Sequence, residues 1–271
     1  MMSLPGETWI VGCGKMAGAM VAGWRRAGVD LSLATAFRPS GAKVEGVRTA
    51  RSIGEAEAPR LVLLGVKPQK LDEVAPVLAK YLTSDTILVS ILAGVEIASL
   101  GARFPAAGQI VRAMPNLPVS EGLGVVALTG GDGSIDPLFA LLGTLVRTES
   151  EADLAVIGSL AGAGPAYVAR FIAALAKAGA ERGLDPSLAD RIAIETVLGT
   201  AAMAKAHGET MHSIAVRVAS PNGTTQAGLE VLDTGLDRIV GETIAAASRR
   251  GEELAAAARI DGRIASGPPL A

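Results

Sequence analysis

The sequence has 271 residues, 49% of them hydrophobic, with 25 basic against 27 acidic side chains. At ~100–200 residues per domain, that length suits two domains or one large one, and this apolar, sparsely charged composition excludes general disorder. A formal net charge of −2 with only 2 Trp, 2 Tyr and 4 Phe gives neither the field to hold a phosphate backbone nor the rings to stack bases, so nucleic acid is not an expected partner.

The single cysteine, Cys13, excludes an internal disulfide and a cysteine-cluster metal site, and it suits a reducing, cytoplasmic setting. The N-terminus carries Glu7 and no basic residue ahead of its apolar stretch, unlike a secretory signal. The longest near-apolar run, 154–169, contains Gly158, Gly162, Gly164 and Pro165 and falls short of the ~20 residues of a membrane span. The expectation is a soluble globular protein with no membrane partner and no metal.

In chain order, strands are predicted at Thr8–Val11, Leu31–Ala36, Arg60–Val66, Thr86–Leu92, Gln109–Ala113 and Leu123–Leu128. Helices are predicted between most of them, at Lys15–Ala27, Gln69–Leu82 and Val95–Phe104. Such alternation builds βαβ units on a largely parallel sheet. Most of the 14 prolines precede residue 150, whereas the later chain is rich in alanine, the best helix former. After Glu151 the strand signals stop. Asp185-Pro186 reads as an N-cap followed by Pro at the first helical position, opening a long helix from Ser187. Leu229, Leu232, Leu236, Ile239, Val240, Thr243 and Ala247 recur as one helical face. The fold class is α/β: a doubly wound N-terminal sheet over 1–152, then an all-α domain over 153–271 that ends in a fraying Gly267-Pro268-Pro269 tail.

Gly12-Cys13-Gly14-Lys15-Met16-Ala17 matches G-x-G-x-x-G/A between a strand and a helix, the context in which that pattern binds dinucleotides. The first glycine permits the turn, the second admits a pyrophosphate, and Ala17 lets helix and strand pack closely against an anion-binding helix N-terminus. An ordinary tight strand-to-helix turn is the plainer alternative. Cys13 has no neighbouring base and reads as a small loop residue. The second strand ends at Ala36-Phe37-Arg38-Pro39-Ser40. It lacks the acid that an NAD ribose prefers, while Arg38 and Ser40 suit a 2′-phosphate. NADP(H) is therefore the expected cofactor, with NADH a weaker alternative.

Three more loops follow strands of this sheet: Gly65-Val66-Lys67-Pro68, Ala93-Gly94 and Met114-Pro115-Asn116. Ligands of an open parallel sheet bind outside the carboxyl ends of its strands, so these loops are candidates to line the cofactor crevice. Further on, Ser220-Pro221-Asn222-Gly223-Thr224-Thr225 precedes a helix. Asn222 and Gly223 permit the backbone angles of an anion nest, and the following amides are unpaired donors suited to a small carboxylate. A plain capped turn explains the same residues. His207 and His212 are spaced off one helical face and do not read as metal ligands. Glu209 reads as a helix-end charge, Lys177 as a solvated one, and Ser52-Ile53-Gly54-Glu55 as a capping box.

Taken in order, these motifs resemble pyrroline-5-carboxylate reductases over nearly the whole chain. The segments are the glycine loop 12–17, Val66-Lys67-Pro68-Gln69, Ser90-Ile91-Leu92-Ala93-Gly94, Arg112-Ala113-Met114-Pro115-Asn116-Leu117-Pro118, Gly162-Ala163-Gly164-Pro165-Ala166-Tyr167 and 220–225. The resemblance implies a Rossmann domain, a helical dimerisation domain and an active site between one subunit's crevice and helices of the dimer. It implies that NADPH delivers hydride to the C=N carbon of 1-pyrroline-5-carboxylate, giving L-proline. By the same resemblance Gly12, Cys13, Gly14, Lys15 and Met16 hold the pyrophosphate, Arg38 and Ser40 the 2′-phosphate. Val66, Lys67, Pro68, Ala93 and Gly94 hold the ribose and nicotinamide. Ser52, Met114, Pro115 and Asn116 complete the cofactor set. Ser220, Asn222, Gly223 and Thr224 bind the substrate carboxylate, and Thr225 sets its hydroxyl against the ring nitrogen as the catalytic residue. A homodimer or ring of dimers follows from the resemblance.

The chain departs from that pattern at Lys15 and Ser52, where the family usually has Asn, and at Ala161 and Ala163, where it usually has Ser. Ala219 and Asn222 also depart from the usual T-S-P-G-G-T-T loop. A β-hydroxyacid dehydrogenase, the rival of similar layout, would need a lysine where Val168 stands. Reduction of another cyclic imino acid, and a non-catalytic NADP-binding sensor, remain open at this point.

Overall fold

The computed structural model describes residues 2–54 and 57–264, with side chains up to residue 257. Eight strands form one sheet: β1 (Thr8–Val11), β2 (Ala34–Phe37), β3 (Arg48–Ala50), β4 (Leu61–Leu64), β5 (Ile87–Ser90), β6 (Gln109–Pro115), β7 (Gly124–Gly130) and β8 (Gly143–Arg147). Their order is β3-β2-β1-β4-β5-β6-β7-β8. Only the β6–β7 pair is antiparallel. The central strands are buried on both faces, as a parallel sheet covered by helices requires. The chain order reverses between β1 and β4, which makes the crevice beyond their carboxyl ends the switch point where ligands bind.

Helix α1 (Lys15–Arg26) lies on one face. Its buried Ala17, Met20, Val21 and Trp24 share a core with Ile10, Leu63, Val111 and Phe139, and the Trp24 indole donates to the Leu138 carbonyl at 2.9 Å. On the other face α2 (Leu71–Leu78) and α3 (Ile97–Arg103) cover Trp9, Val62, Leu64 and Leu88. The predicted helix over Gln69–Leu82 is divided: α2 is flanked by 3-10 turns at Pro68–Lys70 and Ala79–Tyr81 and carries Pro76, which cannot donate to the helix ladder. The predicted strand at Leu31–Ala36 starts late because the Asp30 carboxylate accepts from the Ser32 amide at 2.9 Å and holds a turn there. No helix follows Ser52, and its expected capping partner Glu55 lies outside the described residues, as does the Gly267-Pro268-Pro269 tail.

Beyond the sheet the described chain is helical: α4 (Asp136–Ala140), which precedes β8, then α5 (Glu151–Ile157), a π-turn at Gly158–Gly162, α6 (Gly164–Ala180), α7 (Pro186–His207), α8 (Met211–Val218), α9 (Thr224–Leu232) and α10 (Leu236–Ile264). Asp185 caps α7, accepting from the amides of Ser187 and Leu188 at 3.0 Å each. The expected single face from Leu229 to Ala247 is split between α9 and α10. The Thr234 hydroxyl donates to the Val231 carbonyl at 2.7 Å and closes α9 before Gly235.

The chain packs as two units, 1–163 with 247–271, and 164–246. In the second unit α6 and α7 pair through Ala176, Ala189 and Ala193, while Phe171, Ile194, Leu198, Val216 and Val231 are exposed. The stretch Glu151–Ala180 is also longer than the 154–169 run suggested, and by length and composition it would be enough to cross a bilayer.

Candidate functional site

At the switch point two backbones meet. Gly12 turns the chain out of β1 with φ +84°, a region open to glycine and costly for other residues. A Cβ on Gly12 would lie 2.7 Å from the Val66 amide nitrogen, and one on Gly65 would lie 2.6 Å from the Gly12 carbonyl oxygen. The loops after β1 and β4 therefore meet main chain to main chain, with the Val66 side chain beside the contact. Gly14 then caps α1 in extended conformation with no side chain bonded to the first-turn amides and no acid in that turn. A Cβ there would meet nothing within 4 Å. Bare amides facing open space at a helix N-terminus fit a dinucleotide pyrophosphate. Between these glycines Cys13 is buried. Desolvation raises its pKa and the nearby Arg38 charge opposes that in part, so the thiol is held protonated.

Beside the glycine loop lies an open hollow of about 530 Å3, lined by Cys13, Gly14, Lys15, Gly18, Arg38, Lys43, Val44 and Glu45. Its far wall is the β2–β3 connection. Arg38 Nη1 donates to the Ala42 carbonyl at 2.9 Å, the Ala42 amide donates to Ser40 Oγ at 3.3 Å, and the Val44 amide donates to Thr49 Oγ1 at 3.2 Å. Arg38 lines the hollow, and Arg38 and Ser40 both shape the turn that walls it. Lys43 lines the same hollow and was missed. A second cation five residues after Arg38, with no acid between them, was the available signal.

The remaining loops are each fixed by specific contacts. Lys67 is exposed ahead of Pro68, which opens the 3-10 turn. Gly94 has φ +74°, and a Cβ there would come within 3.0 Å of the Ala255 amide nitrogen in α10. Just beyond, Glu151 Oε1 accepts both the Ile97 amide at 3.0 Å and Arg112 Nη1 at 2.8 Å, tying α3, α5 and β6 together through a buried arginine. Met114 packs against Gly158. Asn116 Nδ2 donates to the Ala161 carbonyl at 3.0 Å, and Asn116 Oδ1 accepts the Val125 amide at 2.8 Å. Asn116 thereby pins the π-turn to the sheet, a structural task that the sequence did not disclose.

In the second unit Asn222 is the only non-glycine at positive φ among the described residues, at 58°. Its amide donates to Gln226 Oε1 at 2.8 Å, and the Gly223 amide donates to the Ser220 carbonyl at 2.9 Å. Ser220 Oγ folds over the turn onto the place where a Gly223 Cβ would stand. Gly223 caps α9 with no side chain on its first-turn amides, and Thr225 is half-buried. These residues form one tight turn whose Asn222 and Gly223 amides are bonded within it, and the donors left without a side-chain partner are the first-turn amides of α9. His207 and His212 are exposed, and no group of three His, Cys, Asp or Glu suited to a metal occurs among the described residues.

Comparison with known proteins bears on both halves. Residues 8–94 match a family model described as NADP oxidoreductase coenzyme F420-dependent, and residues 151–254 match one described as pyrroline-5-carboxylate reductase dimerisation. A pyrroline-5-carboxylate reductase of Pseudomonas aeruginosa is 33% identical over 94% of this chain and 98% of its own. The solved pyrroline-5-carboxylate reductase of Coxiella burnetii superposes with a TM-score of 0.84 at 28% identity, covering 93% of this chain and 99% of that one. The fold is also that of the Plasmodium falciparum pyrroline carboxylate reductase solved with NADP bound (TM-score 0.80, 23% identity, 93% and 98% covered). With that match running through the glycine crossing, the β2–β3 turn and the α9 nest alike, the chain belongs to the pyrroline-5-carboxylate reductase family.

Proposed function

We propose that the protein reduces 1-pyrroline-5-carboxylate to L-proline with NADPH, the last step of proline biosynthesis, in the cytoplasm. The near-full-length similarity to reductases of that name carries this reading, and the open amide-lined crevice at the β1–β4 switch point fits the cofactor.

Gly12, Gly14, Lys15 and Met16 are assigned to the pyrophosphate, with Cys13 as packing between them. Arg38 and Ser40 take the 2′-phosphate. Val66, Lys67, Pro68, Ala93 and Gly94 flank the ribose and nicotinamide, with Ser52, Met114 and Pro115 as outer contacts and Asn116 as the pin behind them. When bound, NADPH supplies the hydride. The turn Ser220, Asn222, Gly223 and Thr224 holds the substrate carboxylate, with the uncapped first-turn amides of α9 as its donors, and Thr225 orients the ring nitrogen with its hydroxyl. A protonated imine is already electrophilic, so the protein's task is orientation near a donor, with water supplying the proton. The exposed apolar helices of the second unit are covered by another copy of the chain in a homodimer or ring of dimers; neither membrane nor nucleic acid is part of this reading.

The test is NADPH oxidation with pyrroline-5-carboxylate, run beside NADH and beside cyclic imino acids with a six-membered ring or with the double bond at the carboxylate-bearing carbon, with the product identified. Proline formed faster with NADPH than with NADH is the expected result. A preference for another imine would move the substrate, and NADPH binding without turnover on any imine would make the protein a sensor. Thr225→Ala should lower turnover about a hundredfold, the scale of a lost positioned donor, with little change in NADPH affinity; unchanged turnover removes that role.

A further inference from the structure

The hollow beside the glycine loop holds three cations, Lys15, Arg38 and Lys43, and one acid, Glu45. Their surroundings separate their tasks. Arg38 is half-buried and one of its guanidinium nitrogens is fixed to the Ala42 carbonyl, so it stiffens the turn as well as supplying charge. Ser40 Oγ already accepts the Ala42 amide. Lys43, by contrast, is exposed at the rim and makes no ion pair or hydrogen bond among the described residues. The backbone that carries it is held on both sides: Gly41 N donates to the Arg38 carbonyl at 2.9 Å before it, and Val44 N to Thr49 Oγ1 after it. Glu45, whose carboxylate would repel an anion, is paired with Arg25 of α1. The stem of Arg25 packs so closely on Gly46 that a Cβ there would collide with Arg25 Cδ.

From this arrangement we infer that Lys43 is the cation that selects NADPH over NADH, and that Arg25 assists it indirectly by holding Glu45 neutralised. The inference rests on the cofactor reading above and adds residues to it. Lys15 stands beside the α1 amides, where the pyrophosphate common to both cofactors binds, so it supports affinity without discriminating. Lys43 lines the far wall with Arg38, the side of the hollow that the cofactor reading gives to the phosphate on the adenosine ribose. A flexible ammonium suits such a terminal dianion as a point charge.

The experiment is fluorescence titration of NADPH and of NADH against the wild-type protein and the variants Lys43→Gln, Lys15→Asn and Arg25→Ala, with 2′,5′-ADP and 5′-AMP as competitors. The expected result for Lys43→Gln is a fall of about tenfold in the NADPH-to-NADH affinity ratio, the scale of one charged hydrogen bond, with the same fall in the advantage of 2′,5′-ADP over 5′-AMP. Lys15→Asn should weaken both cofactors alike. Arg25→Ala should lower the ratio about two- to threefold, with recovery in Arg25→Ala/Glu45→Gln. A Lys43→Gln ratio equal to wild type overturns the inference. Failure of the wild-type protein to bind either nucleotide would instead overturn the cofactor reading, so the two failures are told apart without measuring turnover.

Discussion

Gly12 shows how a single residue's missing side chain sets the site. Its φ of +84° and the 2.7 Å that would separate an added Cβ from the Val66 amide nitrogen act against any substitution from two directions. Left-handed backbone costs alanine about 1–2 kcal/mol, and the close approach is to main chain, which cannot rotate away. Gly12→Ala should therefore push apart the loops after β1 and β4 and weaken NADPH at least about tenfold (~1.4 kcal/mol), measured by cofactor titration. Gly14→Ala, with open space around its Cβ, should be tolerated by the fold and act only on the bound anion. The sequence already assigned the first glycine to the turn and the second to the anion. That Gly12 is held in addition by the Gly65–Val66 backbone became visible only in the fold.

Among elements, the ones legible in advance were those whose side chains face a core. β1 and α1 begin where the sequence placed them, because continuous burial and a 3.6-residue apolar period leave little choice. β3 and β8 went unseen: both are edge strands, short and without a fully buried residue, so pairing with a neighbour defines them and hydrophobic pattern does not. The π-turn at Gly158–Gly162 was also unseen, since its cause is distant, the Asn116 side chain bonded to Ala161. The Arg112–Glu151 pair belongs at this scale, because it joins β6, α5 and α3. Its arginine side chain is only 8% exposed. Glu151→Ala would strand a buried charge and the Ile97 amide together, and should cost about 3 kcal/mol of stability, read by urea denaturation. Replacing both members by Leu and Met should recover most of that loss, since an apolar pair of similar volume removes the stranded charge. A double variant as unstable as the single one would show that the ion pair itself, and not the orphaned arginine, holds these elements.

For the whole molecule, the two units differ in how they are stabilised. The first has two large apolar cores, one on each face of its sheet. The second has a small cluster of alanines and leaves Phe171, Ile194, Leu198 and Val231 between 45% and 73% exposed. Large exposed apolar areas mark interaction surfaces, and the proposed homodimer would cover them. Light scattering at working concentration should give at least twice the 27.4 kDa chain mass, and the thermal midpoint should fall on dilution, because subunit association contributes to stability by mass action. A monomer with a concentration-independent midpoint would contradict the dimer. The composition shift near residue 150 made the helical half legible. It did not reveal that the C-terminal part of α10 is packed with the first unit, where Ala255 meets Gly94 and Ser248 bonds Ser159 at 3.0 Å.

That return of α10 bears on biosynthesis. A ribosome makes the sheet first and the segment that backs the Gly94 loop last, so the nucleotide-binding half cannot be finished while the helical half is still being translated. Until residues 247–257 emerge, the nascent sheet has a loop without its backing and a π-turn without its serine partner. The two halves are thereby bound to a single maturation event, and a gene fragment ending at 163 encodes an unfinished unit.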